Sequence, residues 1–192
     1  MTVYPRSGPR IGVLVPYTNC NLEPDMQLLC PPGATVHVAR MGGYDVDEIP
    51  GSDQMAGLGA SDISGPLMLL SGARPHVILY GCTSATLTHG PSFDADLAAR
   101  IKAGSGAVSL TAAGSLVAAI QALGVTTVGF ASPYLGEIND QAARFLASQG
   151  IETVKCHDVG RALGNYGQGE LTPDDVYELA LQADHVDAQA IV

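Results

Sequence analysis

Positive charge is scarce in this sequence. The 192 residues include 9 lysines and arginines against 19 aspartates and glutamates, which gives a formal net charge of −10. Lys102 and Lys155 are the only lysines. A continuous basic surface is therefore not expected, and neither is nucleic-acid binding.

Long apolar segments are also missing. Although 46% of the residues are hydrophobic, no apolar run reaches the roughly 18 residues that a membrane-spanning helix needs. The N-terminal segment MTVYPRSGPR lacks the apolar stretch of a secretory signal. We therefore expect a cytoplasmic protein that does not associate with membranes.

Several motifs that would indicate a cofactor, a metal or a known nucleophile are absent. Cys20, Cys30, Cys82 and Cys156 form no C-x-x-C pair, so they are expected to be free thiols in a reducing compartment. The histidines have no metal-ligand spacing. No G-x-G-x-x-G follows a strand, and no G-x-S-x-G elbow occurs. We expect neither a cofactor nor a bound metal.

What the sequence does contain is an alternation of apolar strands with amphipathic helices. This alternation predicts an α/β fold in which parallel sheets are flanked by helices. The predicted strands are Ile11–Val15, Thr35–Ala39, His76–Tyr80, Ala107–Leu110, Thr127–Ala131, Glu152–Lys155 and a last one beginning at Asp187. The predicted helices are Met55–Leu70, Ser92–Lys102, Ala112–Leu123, Glu137–Gln149 and Asp174–Ala183, with a break or kink expected at Pro66.

The two halves of the chain resemble each other. Ile11–Tyr17 reads IGVLVPY and Val128–Tyr134 reads VGFASPY, so each half has an apolar strand that ends in Pro-Tyr. The similarity indicates duplicated lobes, predicted at residues 1–112 and 113–192, unless two strands share the dipeptide by chance. Because Gln189–Val192 reads as the first half of a buried strand, we expect the natural protein to be longer.

Cys82 is the strongest candidate for chemistry. It follows the strand His76–Tyr80 at the carboxyl end, where ligands bind in open α/β sheets. The N–H groups and hydroxyls of Thr83 and Ser84 can cradle a carboxylate, and such dipoles would lower the pKa of a nearby thiol. The alternative interpretation is a buried structural thiol.

Two further loops are expected to reach the same cleft. Asn19 follows the first strand, beside Tyr17, and can donate to a carboxylate or an enolate oxygen. Tyr134 occupies the matching place in the second half. Asn19 could instead be a simple turn residue. His89 is the only histidine expected near this cleft, and Cys20 is expected to face away from it.

These segments carry a family resemblance. RIGVLVPYTNCNLEPD (Arg10–Asp25) resembles the N-terminus of the maleate cis–trans isomerases. YGCTSATL (Tyr80–Leu87) resembles the first catalytic-cysteine loop of the aspartate/glutamate racemase superfamily, which also holds the arylmalonate decarboxylases. FASPYLGEIND (Phe130–Asp140) resembles the segment that opens the second lobe of these proteins.

The resemblance implies two pseudo-symmetric lobes with the site between them and one cysteine from each lobe. Cys82 matches the first cysteine, Asn19 the active-site asparagine, and Tyr134 a tyrosine that contacts substrate. Asn165 lies in the loop where the isomerases place another carboxylate-binding asparagine. The internal repeat places the second cysteine near position 195, beyond this sequence. A homo-oligomer is expected from the family.

The expected function is therefore a cofactor-independent isomerase or racemase that acts on a small carboxylate or dicarboxylate through Cys82. In a maleate-type reaction the thiolate adds to the double bond, the resulting single bond rotates, and the thiol is eliminated. An arylmalonate-type decarboxylase is the nearest alternative. A non-catalytic protein that binds small acids is the alternative from another class.

Overall fold

A computed structural model describes residues 8–42, 49 and 51–192. The strands in this part of the chain are β1 Arg10–Pro16, β2 Thr35–Met41, β3 Val77–Tyr80, β4 Val108–Thr111, β5 Thr127–Ser132, β6 Glu152–Asp158 and β7 Ala190–Ile191. The helices are α1 Leu22–Leu28, α2 Ser52–Ala60, α3 Ser64–Ser71, α4 Thr83–Leu87, α5 Pro91–Ser105, α6 Ala112–Ala122, α7 Gly136–Ser148 and α8 Pro173–Gln182.

The strands form two parallel sheets. The first has the order β2-β1-β3-β4 and the second the order β6-β5-β7. Consecutive strands are joined through helices, as parallel pairing requires. The predicted α/β class with helix-flanked parallel sheets is therefore confirmed. No helix in the described ranges is long and apolar enough to cross a membrane.

Each sheet has its own core. Leu14, Ile78 and Tyr80 of the first sheet are completely buried together with α5 side chains. Val128 and Phe130 of β5 pack into a second cluster with α6 and α7. Strands buried on both faces read as continuous apolar runs, which is why the sequence predicts them well. The predicted boundary between residues 112 and 113 is not tested by this packing and stays a prediction.

The segment Met55–Leu70 is interrupted by a break, as the sequence predicts, but the break is not at Pro66. It forms α2 and α3, separated at Ser61, whose backbone is extended. Asp62 then accepts a hydrogen bond from the Ser64 N–H at the start of α3. Pro66 lies in the first turn of α3, where a missing N–H costs nothing. The chain therefore breaks before the proline and not at it.

One glycine is required by a close approach between β5 and the end of α8. A Cβ placed on Gly129 would lie 2.2 Å from the carbonyl oxygen of Ala183, which is a backbone atom. Only glycine fits at this contact without a shift of the helix end.

Candidate active site

A cavity of 240 Å³ lies where the loops after β1, β3 and β5 converge. All three loops follow the carboxyl ends of parallel strands, the edge where α/β sheets bind ligands. Six residues predicted from the sequence line this cavity: Tyr17, Asn19, Cys82, Ser84, Tyr134 and Asn165. The structure thus brings residues from both halves of the chain to one place.

Cys82 lies directly before α4, and only 9% of its surface is exposed. Its Sγ is 3.6 Å from the hydroxyl oxygen of Ser84. Burial raises the pKa of the thiol above its ordinary value, although the backbone N–H groups of Ala85 and Ser84 and the Ser84 hydroxyl oppose this shift. The lowered pKa expected from the sequence is therefore wrong, because loss of solvent outweighs the local donors.

Ser84 connects the thiol to two other residues of the cavity. Its hydroxyl donates to the sulfur of Met55 at 3.0 Å and interacts with the phenol of Tyr134. Burial, with a smaller contribution from the negative charge of an ionised Cys82, raises the pKa of Tyr134 to about 12. Tyr134 is therefore a neutral hydroxyl at physiological pH, suited to donating a hydrogen bond.

Asn19 is oriented by the chain that follows it. Its Oδ1 accepts hydrogen bonds from the N–H groups of Asn21 at 3.0 Å and Leu22 at 2.9 Å. These are backbone donors at the beginning of α1, which the helix itself cannot satisfy. Because the oxygen is used in this way, the amide nitrogen is the atom of Asn19 that would be available to a ligand in the cavity.

The loop that carries Tyr134 is held by two buried polar side chains. The hydroxyl of Ser132 accepts a hydrogen bond from the Tyr134 N–H at 3.1 Å and donates to Oδ1 of Asn139 at 2.5 Å. The amide nitrogen of Asn139 donates to the Tyr134 carbonyl at 2.7 Å. This arrangement fixes the backbone of Tyr134 from both sides.

Thr83 does not line the cavity. Successive residues of a helix point about 100° apart, so Ser84 faces the cavity while Thr83 does not. The carbonyl of Thr83 accepts a hydrogen bond from the Thr86 hydroxyl. The predicted role of Thr83 in binding substrate stays a prediction that would rest on its backbone.

Two other sequence expectations concern residues near the site. Cys20 is exposed, and its thiol donates to the Thr18 carbonyl instead of entering the cavity. The ring of His89 makes a 2.7 Å hydrogen bond with the carbonyl of Ala56 and stacks on Phe93, so it does not line the cavity. The expectation that His89 lies near the site is therefore only partly right, since His89 contacts α2, which lines the cavity, but does not reach the cavity itself.

The structure adds cavity residues that sequence reasoning missed. Gln54, Met55 and Leu58 come from α2, and Gln168 comes from the long loop before α8. Gln54 accepts a hydrogen bond from the Gly51 N–H, which holds its side chain at the start of α2. None of these residues belongs to a motif, but Gln168 lies in the glycine-rich segment GNYGQGE, whose composition predicts an irregular loop.

The polar residues that the structure describes around this cavity are all neutral. Among the described residues that surround it there is no arginine, lysine or histidine. No group of three or more histidine, cysteine, aspartate or glutamate side chains in the described ranges could hold a metal ion. The cavity therefore combines one thiol with amide and hydroxyl donors and an apolar wall from α2.

Fold and site together define a two-sheet α/β protein with a cavity that holds a thiol among neutral hydrogen-bonding groups. A family model described as arylmalonate decarboxylase matches residues 11–191. The chain belongs to this family.

Its relatives include both isomerases and decarboxylases. A maleate isomerase from Geobacillus stearothermophilus is 25% identical, and the match covers 95% of this chain and 76% of the relative. A solved maleate cis–trans isomerase from Nocardia farcinica, a cysteine-to-serine mutant with a covalently bound succinylcysteine intermediate, is 25% identical with a TM-score of 0.84 over 96% of this chain and 76% of that one. A crystal structure of arylmalonate decarboxylase is similar in fold, at 20% identity and a TM-score of 0.74 over 95% and 75% of the two chains.

Proposed function

We propose that this protein is a cofactor-independent cis–trans isomerase that acts on maleate or a closely related unsaturated diacid, with Cys82 as the nucleophile. The observation that carries the proposal is the position of the thiol. Cys82 faces a cavity that also holds Asn19, Tyr134 and Asn165 as neutral donors. Such donors can hydrogen-bond the two carboxylates of a diacid while its double bond lies beside the thiol.

The reaction needs only the thiol and these donors. After the Cys82 thiol gives its proton to water, an electron pair of the sulfur forms a C–S bond to one alkene carbon. The π electrons move to the neighbouring carbon and into its carboxylate, where hydrogen bonds from Asn19 and Tyr134 stabilise the enolate-like charge. The former double bond is now single and rotates. Return of the electron pair re-forms the double bond in the trans geometry and expels the thiolate, so no atom is gained or lost.

Two findings support an isomerase over other reactions. The succinylcysteine in the Nocardia farcinica relative is the adduct that a cysteine forms when it adds to this kind of diacid. The two kinds of group that the proposed chemistry needs, a thiol and hydrogen-bond donors for carboxylates, are both present in the cavity of this chain. We also infer that the protein is cytoplasmic, as the sequence predicts, and that it assembles with copies of itself, as the family resemblance implies.

A decarboxylase is the second candidate, because the family model carries that description. The family resemblance implies that the decarboxylases usually lack a cysteine at the position that matches Cys82, which favours the isomerase. Release of carbon dioxide from an arylmalonate, measured beside the isomerase assay, distinguishes the two reactions.

The test compares Cys82→Ala with Cys20→Ala, since Cys20 is an exposed thiol outside the cavity. Proton NMR follows the conversion of maleate to fumarate. We expect the Cys82 variant to lose activity on the order of 10⁴-fold or more, as enzymes do when a nucleophile is removed. The Cys20 variant should turn over maleate like the wild type.

Alkylation of Cys82, located by mass spectrometry, separates the remaining outcomes. Maleate should slow the labelling because both reagents need the same cavity. Protection by maleate without any turnover would mean a non-catalytic binding protein. Turnover that survives in Cys82→Ala would refute the assignment of the nucleophile.

A further inference from the structure

Arg40 lies outside the cavity but contacts the loop that carries Tyr17 and Asn19. It is on β2, the edge strand of the first sheet, where it pairs in register with Val15 of β1. The guanidinium extends past the end of β1 toward the turn that follows. Among the described residues, its side-chain contacts are with the end of β1, this turn and the beginning of α1.

One nitrogen of the guanidinium faces three backbone carbonyls. Nη1 donates to the carbonyls of Pro16 at 3.4 Å, Tyr17 at 3.0 Å and Asn19 at 3.0 Å. The other nitrogen, Nη2, forms an ion pair with Glu23 in the first turn of α1. A single planar group therefore connects the end of β1, the site loop and the helix that follows it.

The convergence of three carbonyls has a physical consequence. Their oxygens carry partial negative charge and repel one another unless a donor lies among them. A guanidinium suits this position because it is always charged and presents several donors in a fixed plane. A lysine ammonium is more compact and cannot contact the same set of oxygens and Glu23 in one geometry.

We propose that Arg40 is a positioning residue for the proposed reaction, holding the loop so that Tyr17 and Asn19 meet the substrate. Small errors in placement are costly in catalysis, since a shift of about 1 Å can lower activity about 100-fold. Arg40 is itself 41% exposed at its side chain. Water can therefore replace part of its hydrogen bonding, so we expect the fold to tolerate the loss of the guanidinium.

Arg10 provides a matched control. It begins β1 at the opposite end of the strand, and its Nε donates to the carbonyl of Arg74 at 2.9 Å. The variants Arg40→Gln and Arg10→Gln each remove a guanidinium from a backbone carbonyl contact beside the same sheet. Only the first change affects the loop that carries the site.

The first measurement is kcat and KM for maleate. We expect Arg40→Gln to lower kcat/KM about 10- to 100-fold, with Arg10→Gln within about twofold of the wild type. Arg40→Lys should recover part of the loss, and it replaces the glutamine variant if that one does not fold. The alkylation rate of Cys82 should stay unchanged in Arg40→Gln, because the thiol belongs to another loop.

The second measurement is amide hydrogen exchange across residues 17–22, which does not depend on any activity. We expect exchange of the Asn19, Asn21 and Leu22 amides to be about tenfold faster in Arg40→Gln and unchanged in Arg10→Gln. The inference rests on the proposed function for its catalytic part. Wild-type protein without maleate turnover would refute that function, while the exchange experiment would still test the contact.

Three results would overturn the inference. The first is unchanged exchange in this loop. The second is faster exchange with kcat/KM still within about twofold of the wild type. The third is a Cys82 alkylation rate that changes as much as kcat/KM does, since this would mean that the substitution disturbs the cavity as a whole.

Discussion

Replacing Asn19 by aspartate changes the charge and donor capacity of the proposed site while keeping the size of the side chain. Oδ1 of Asn19 accepts the N–H groups of Asn21 and Leu22, and a carboxylate oxygen can accept both in its place. The other atom changes from a hydrogen-bond donor into a second, negatively charged acceptor. The substitution therefore keeps the structural contact and reverses the contact proposed for the substrate.

The expected size of the effect follows from charge and distance. Two unit charges about 4 Å apart at an effective dielectric of about 20 repel each other by about 4 kcal/mol. Loss of a donor to a developing negative charge costs a similar amount, about 3 to 4 kcal/mol. Taking the smaller of these as a lower bound, kcat/KM for maleate should fall at least about 100-fold. Stability should be unchanged or slightly higher, because a negative charge is favourable where a helix begins.

The assay measures kcat/KM by NMR and the free energy of unfolding by urea denaturation. Asn19→Ala provides the comparison, since it removes both the acceptor and the donor and should cost about 1 kcal/mol of stability as well as activity. An Asn19→Asp protein with kcat/KM within tenfold of the wild type would refute the proposed contact with substrate. A large loss of stability in the same protein would refute the orientation of the amide.

Two other predictions use the pKa of Cys82 and the packing of Gly129. Because burial raises the pKa of the Cys82 thiol, kcat/KM should rise with pH, with a midpoint above that of a free thiol, and a flat profile would contradict the thiolate mechanism. The pKa of the Cys82 thiol is higher in the folded protein than in the unfolded chain. The contribution of the neutral thiol to stability is therefore complete below the unfolded pKa and declines as pH rises through the folded pKa. Urea denaturation of Cys82→Ala should show less of this decline. Gly129→Ala should lower the free energy of unfolding by about 3 kcal/mol or more, because the new methyl meets the Ala183 carbonyl at 2.2 Å. Gly57→Ala in α2, where nothing lies within 4 Å, should raise it by about 0.5 to 1 kcal/mol, and equal effects of the two substitutions would contradict this packing.

The strands were predictable because burial on both faces leaves a direct mark on the sequence. Arg10–Pro16 and Thr127–Ser132 contain the apolar runs expected of central parallel strands. Two helices were not predicted. No residue of α1 is buried, so its sequence does not show the regular spacing of apolar residues that marks a helix. The helix α4 has only five residues, which is too short to show such spacing. Such short helices depend on their contacts with the rest of the fold.

The candidate site was predictable where it follows the ends of strands and not elsewhere. Cys82 and Asn19 come directly after β3 and β1, and parallel neighbours bring such residues together. Gln54 and Gln168 reach the cavity from a helix and a long loop, whose positions depend on tertiary packing. The direction of the pKa shift of Cys82 was predicted wrongly for the same reason. Donor N–H groups can be read from neighbours in sequence, whereas the loss of solvent cannot.

The neutral lining of the cavity also affects how a ligand reaches it. The chain carries a formal charge of −10, and no cation lines the cavity among the described residues. A dicarboxylate therefore approaches against a negative field, which salt screens within about 10 Å at 0.1 M ionic strength. We therefore expect association to become faster as ionic strength increases, opposite to the behaviour of an arginine-lined anion site. Capture of the diacid then depends on how the amide and hydroxyl donors are placed and not on electrostatic attraction over a distance.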